Sequence, residues 1–248
     1  MDVAAVSGAP RWSVIIPAYD EAARLPGYLK DVQAYFEGRD EPYEIIVVDD
    51  GSRDATAERV REVAAGRPAV TVHTLARNRG KGHAVRVGMA DASGALRLMA
   101  DADGATPIAE VARLEAAVAA GADIAIGSRA LRDPAVVRKV RIHRKLSGNV
   151  FNFLVRRLGV PGVVDTQCGF KLFRGPVAAA LFPLVTTDGF GFDVELLMLA
   201  IRRGYRLAEV PVNWADQPGS KVGVLRHGPQ MLREVLSARR RLARGGTP

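Results

Sequence analysis

Short apolar, β-branched runs alternate with helical patterns through the first half of the chain. Residues 13–17 (SVIIP) and 44–48 (EIIVV) each lead into a polar turn and then a segment with apolar positions at helical spacing. Similar runs recur at 70–75, 95–100 and 123–127, and the segments between them predict helices over 21–37, 54–65, 82–92 and 108–120. Strand, crossover helix and strand in this order imply an α/β fold with an open, mostly parallel sheet flanked by helices. Such a sheet takes its ligands at the carboxyl ends of its strands. Those ends carry acids: Asp20 and Glu21, Asp49 and Asp50, Asp101 and Asp103.

The pattern changes after Arg129. Residues 136–158 read as one helix, because Ile142, Leu146, Val150, Leu154 and Leu158 recur every four residues beside Phe151, Phe153 and Val155. A turn-rich stretch follows (159–173, GVPGVVDTQCGFKLF), then an apolar helix over 192–202, a short strand over 207–212 and a basic helix over 233–244. No internal repeat or low-complexity tract interrupts this order, and a length of 248 residues with 48% hydrophobic content suits one large domain. We divide the chain into a tail (1–12), a domain over 13–225 with halves 13–128 and 129–225, and a basic helix and tail (226–248).

Charge sharpens this division. The net charge is +8, and the segment 129–157 alone holds nine basic residues against one acid, Asp133. Such a patch attracts phosphates, anionic lipid or other polyanions. The longest run without a charged residue is 13 residues, 175–187, and contains two prolines. That is too short to span a bilayer, which takes roughly 20 apolar residues. Residues 1–10 lack the basic cluster and apolar core of a secretory signal, so a cytoplasmic location is expected. The lone Cys168 cannot form an internal disulfide and reads as a small buried side chain, and the four histidines show no metal-ligand spacing.

Two glycine motifs carry little. Gly80-Lys-Gly-His-Ala-Val85 begins like a dinucleotide fingerprint, but Val85 replaces the third glycine and the motif is not at the first strand; no phosphate-binding P-loop pattern occurs. Asp101-Ala-Asp103 is more informative. Carboxylates on alternate residues where a strand ends can hold a hard divalent cation that also bridges substrate phosphates.

Taken together, VIIPAYDE (14–21), VVDDGSRDAT (47–56), NRGKGHA (78–84) and DADGAT (101–106) resemble the nucleotide-sugar half of glycosyltransferase family 2 enzymes. GSR (127–129), DTQCGFKLF (165–173), FDVELL (192–197) and NWADQPGSKV (213–222) extend the resemblance to the branch that glycosylates polyprenyl phosphates, in particular the dolichyl-phosphate β-glucosyltransferase type. The resemblance implies a GT-A-like fold with a C-terminal helical extension facing acceptor and membrane. It implies a nucleotide-sugar site lined by Pro17, Tyr19, Glu21, Asp50, Lys81, Asp101 and Asp103, with Asp49 facing away. Asp101 and Asp103 would hold Mg²⁺ or Mn²⁺. Ala105 stands where the mannosyl branch has a Gln, which leaves the third metal ligand open. Arg129, Arg141, Arg144, Ser147 and Lys221 would bind the acceptor phosphate. Asp165 matches the proposed base or orienting residue, which makes Asp103, Arg129 and Asp165 the expected catalytic set, with Asp193 and Glu195 placing the sugar or buttressing Arg129.

The expected reaction is inverting, metal-dependent transfer of a hexose, glucose from UDP-glucose, to a polyprenyl or dolichyl phosphate at the cytoplasmic membrane face. An ionised acceptor phosphate needs no catalytic base. The 136–158 helix and the terminal basic helix would provide peripheral contact with an anionic membrane surface. Alternatives are the same transfer from GDP-mannose, and a non-catalytic module binding phosphoinositides or nucleic acid. Nucleic acid is not an expected partner, since such a module leaves the acidic strand ends without a use.

Overall fold

The computed structural model describes residues 9–131, 133–134, 136–139, 160, 162–217 and 224–245. Five strands follow the expected runs: β1 (Trp12–Ala18), β2 (Tyr43–Asp49), β3 (Val70–Thr74), β4 (Leu96–Ala100) and β5 (Ile124–Ser128). Helices α1 (Leu25–Glu37), α2 (Thr56–Ala64), α3 (Lys81–Asp91) and α4 (Val111–Ala119) connect them. Then come β6 (Arg138–Lys139), β7 (Phe170–Arg174), α5 (Gly175–Leu181), α6 (Phe192–Arg202), β8 (Leu207–Pro211), β9 (Trp214–Ala215) and α7 (Val224–Ala243).

The main sheet has the order β3-β2-β1-β4-β7-β5-β8. Every pairing in it is parallel except those of β7, which runs antiparallel between β4 and β5. Both faces are covered, which is why the central strands are apolar throughout rather than alternating. One face sets Ile15, Ile46, Met99, Ile126 and Phe173 with residues of α3, α5, α6 and α7. The other sets Val14, Ile16, Val47, Leu98 and Leu172 with residues of α1 and α4.

Four expectations require correction. The stretch 159–173 is not all turn, because Phe170–Arg174 is a central strand with even Lys171 fully buried. The helix predicted from Glu21 starts at Leu25, because residues 20–22 commit their backbone to other partners. Asp20 is in the left-handed region (φ 51°), and the amides of Asp20, Glu21 and Ala22 donate to the side chains of Ser52, Thr56 and Asp54. The helix predicted from Val136 does not begin there. Its first residues are extended: Val137 accepts from the Trp214 amide, its own amide donates to Asn213 Oδ1, and Arg138–Lys139 pair with β9. The remainder of that predicted helix, with Arg141, Arg144, Ser147, Phe151 and Phe153, lies outside the described residues, as does Lys221. Finally, the terminal helix starts at Val224, nine residues before Arg233.

Candidate active site

A cavity of about 780 Å³ opens at the carboxyl ends of β1, β2 and β4. All seven residues expected at the nucleotide-sugar site line it: Pro17, Tyr19, Glu21, Asp50, Lys81, Asp101 and Asp103. Asp50 and Asp49 diverge as adjacent strand-end residues should. The two Asp50 oxygens accept the Arg79 and Gly80 amides at 2.9 and 2.8 Å, while Asp49 turns back to Ser52. Burial holds the Asp50 carboxyl above its ordinary range in spite of these donors. Glu21 is held by Arg24, whose Nε donates to it at 2.7 Å.

The β4 end is the electrostatic centre. Lys81, at the first turn of α3, places its ammonium 2.6 Å from Asp101. Burial disfavours that charge, but Asp101, Asp193 and Asp103 more than offset it and hold the Lys81 pKa above the lysine range. Asp103 accepts the Ala105 amide at 3.0 Å, and burial together with the Asp101 charge raises its pKa. Two carboxylates in conflict, with one lysine already engaged, are a donor set that a hard cation would relieve. Among the described residues no third His, Cys, Asp or Glu joins them to form a metal-binding group. The pair therefore fits Mg²⁺ or Mn²⁺ bound as such ions commonly are, by one or two carboxylates with substrate phosphates and water completing the shell.

Gly169 explains how Asp101 is seated. The Asp101 amide donates to its carbonyl at 2.9 Å, and a Cβ on Gly169 would lie 1.9 Å from the Asp101 carboxylate, so only glycine permits the approach. At the end of β5, Asp165 accepts three hydrogen bonds from Arg129: from its amide (2.9 Å), Nε (2.7 Å) and Nη2 (2.8 Å). Burial would raise the Asp165 pKa, but the Arg129 charge and these bonds hold it below the usual carboxylate range. The Arg129 guanidinium also lies over the Trp214 ring, 5.7 Å from its centroid. Neither Arg129 nor Asp165 is among the residues that line this cavity. The role expected of Asp193 and Glu195 beside Arg129 is not what the structure places there. Asp193 pairs with Lys171, and Glu195 accepts from Thr186, Thr187 and Arg241. Cys168 is inert as a nucleophile, its thiol pushed up to about 12 by burial.

A further part of the cavity wall was not anticipated. It comprises the loop 186–190 and a polar stripe of α7, Gln230, Glu234, Ser237 and Arg241. These recur at i, i+4, i+7 and i+11, while Met231, Val235 and Ala238 are buried on the adjacent face. That periodicity is visible in the sequence, but its basic residues direct attention outward. Glu234 accepts the Gly191 amide at 2.8 Å, and Arg241 bonds Glu195 at 2.9 Å, which keys the helix to the loop. Arg24, also on the wall, is signalled only by its i+3 spacing from Glu21.

A family model described as glycosyl transferase family 2 matches residues 13–182. The chain belongs to glycosyltransferase family 2. Within that family it is 39% identical over 246 residues to the dolichyl-phosphate β-glucosyltransferase of Homo sapiens, covering 94% of this chain and 76% of the human protein. The Dictyostelium discoideum enzyme of the same name is 38% identical over 245 residues, with 94% and 75% covered. A Mycobacterium tuberculosis glucosyl-3-phosphoglycerate synthase, crystallised with Mn²⁺, UDP and glucosyl-3-phosphoglycerate, superposes with a TM-score of 0.70 at 20% identity, covering 92% of this chain and 80% of that one. The family 2 chain thus has the GT-A-like fold expected of it, and membership removes the non-catalytic alternative.

Proposed function

We propose that this protein transfers glucose from UDP-glucose to a polyprenyl phosphate of the dolichyl type, with inversion, at the cytoplasmic face of a membrane. The observation that carries the reading is the Asp101–Asp103 pair, with Lys81 beside Asp101, in a cavity that Pro17, Tyr19, Glu21 and Asp50 also line. The names of the relatives support glucose and dolichyl phosphate over mannose.

In this reading Glu21 and Asp50 sit where carboxylates accept the N–H of a pyrimidine base. A Mg²⁺ or Mn²⁺ ion held by Asp101 and Asp103 would offset the charge that grows on the departing diphosphate. Lys81 adds its charge to the same oxygens. Arg129 receives the acceptor phosphate, and Asp165 acts as its orienting partner, since its oxygens are committed to Arg129 and its low pKa makes it a weak base. An acceptor phosphate oxygen attacks the anomeric carbon as the bond from that carbon to the diphosphate breaks, the electron pair leaving on UDP. No proton need be removed. Arg141, Arg144, Ser147 and Lys221 are proposed to complete the acceptor cradle.

No helix among the described residues is long and apolar enough to cross a membrane. Peripheral contact with an anionic membrane surface is part of the proposal. The exposed row of Arg233 and Arg240 on α7 and Arg244 just beyond its end supports it. Radiolabelled transfer is the test. UDP-glucose with Mn²⁺ or Mg²⁺ should label a prenyl phosphate to give a β-glucosyl phosphate lipid that releases glucose in mild acid. Equal or better transfer from GDP-mannose, or none from UDP-glucose, would overturn the assignment.

A further inference from the structure

A buried charge pair, Lys171 with Asp193, lies outside the cavity lining. Lys171 is 0% exposed in the middle of the sheet, opposite Met99 of β4 and Ile126 of β5, and Asp193 in the first turn of α6 is 3% exposed. The Lys171 ammonium donates to Asp193 Oδ1 and to the Cys168 carbonyl, each at 2.6 Å. Burying an ion pair is a poor route to stability, because desolvation of both charges largely cancels their attraction and apolar side chains of similar shape serve as well or better. The pair must be judged by what it holds.

It holds the middle of the loop 165–169. Each end of that loop seats a functional group: Asp165 takes three hydrogen bonds from Arg129, and Gly169 takes the Asp101 amide and lies against the Asp101 carboxylate. Cys168, between them, would otherwise be tied by neither. We propose that Lys171 and Asp193 form a positioning pair: by fixing the Cys168 carbonyl to α6, they set the separation between the acceptor-phosphate arginine and the metal-binding carboxylate. This rests on the roles assigned above to Arg129 and Asp101.

The test replaces the pair by Lys171→Met with Asp193→Leu. The double variant should fold, with a melting temperature within about 5 °C of wild type. Misplacement of the two reacting centres should lower kcat about 30-fold while donor KM changes less than about threefold, a split that plain destabilisation does not produce. Amide hydrogen exchange gives a reading independent of the substrate. The Asp101 and Arg129 amides, which bond to the two ends of the loop, should exchange about tenfold faster while β1 and β2 stay protected. A folded double variant lacking either effect overturns the proposal. Should it fail to purify folded, Lys171→Gln, which keeps most of the stem and a donor without the charge, is judged by the same two readings. Wild-type protein that transfers nothing to a prenyl phosphate would refute the reaction proposed above, and exchange at Asp101 and Arg129 alone would then decide the positioning role.

Discussion

The two sides of the sheet are built by different means. On the β3-β2-β1-β4 side, parallel strands end in a row and the segments leaving β1, β2 and β4 each deliver side chains to one cavity, so location follows from strand and turn alone. On the β7-β5-β8 side, an antiparallel strand is inserted between β4 and β5, and long-range partners hold the groups around it: Arg129 is held by Asp165 and Lys171 by Asp193, and across the β4–β7 boundary Asp101 is seated on Gly169. The first side is a repeated local solution and the second a set of tertiary clamps. A substitution on the first should therefore remove a ligand, whereas one on the second should leave the ligands in place and spoil their spacing.

The sharpest break between the sides is expected at Asp103. Asp103→Asn removes one of two carboxylates available to the cation, and turnover should fall by about 10³-fold or more, with metal-dependent UDP binding lost in calorimetry. On the clamped side Arg129→Lys keeps a charge but loses the two-pronged contact with Asp165. A roughly 100-fold drop in kcat with donor affinity nearly unchanged is expected, because an arginine no longer fixed by Asp165 would be misplaced for the acceptor phosphate that it is proposed to hold during transfer. Loss of donor affinity with kcat intact would move Arg129 to the donor side and dissolve the contrast. Gly169→Ala should come next. The new methyl has no room beside the Asp101 carboxylate, and displacing that group should cost about 30-fold in rate with the fold retained by circular dichroism.

This contrast also explains how much was legible from the amino-acid pattern. The donor half was readable because a buried parallel strand is an apolar run and its carboxyl end is fixed by the run, so Asp50, Asp101 and Asp103 could be placed from local sequence. Strand β7 was hidden because Gly169 and Lys171 look like turn residues until the partners that accommodate them are known. Asp193 misled for the same reason: an acid in a helical first turn gives no sign that its counter-ion is a lysine in the sheet. The α7 stripe was recoverable from periodicity, but the neighbouring arginines pointed to solvent and membrane.

A smaller effect should appear in the pH dependence of stability. Burial opposes ionisation of Glu195, but hydrogen bonds from Thr187, Arg241 and Thr186 hold its pKa below the usual range, and Asp165 is likewise depressed by Arg129. A carboxylate whose folded-state pKa lies below its unfolded value contributes stability above the unfolded value, roughly pH 4, and the contribution is lost as pH falls through the folded pKa. Melting temperature should thus be nearly flat from neutral pH to about pH 5 and then decline. In Glu195→Gln the decline should be shallower. A variant profile parallel to wild type would show that Glu195 gains nothing from its four donors.

The smallest effect tests whether α7 belongs to both sides at once. Its polar stripe lines the cavity, while Arg233 and Arg240 on the helix and Arg244 just beyond it are exposed at i, i+7 and i+11 next to that stripe. A basic residue near an anionic bilayer contributes about 1 kcal/mol, so Arg240→Gln should weaken binding to phosphatidylserine-containing vesicles only about fivefold. The attraction acts over a Debye length of about 8 Å at physiological salt, so the difference between variant and wild type should shrink as salt is raised. Binding to neutral vesicles should not distinguish them. If Arg240→Gln instead impairs UDP binding in the absence of any membrane, the row belongs to the donor wall, and the membrane contact must come from the other side of the molecule.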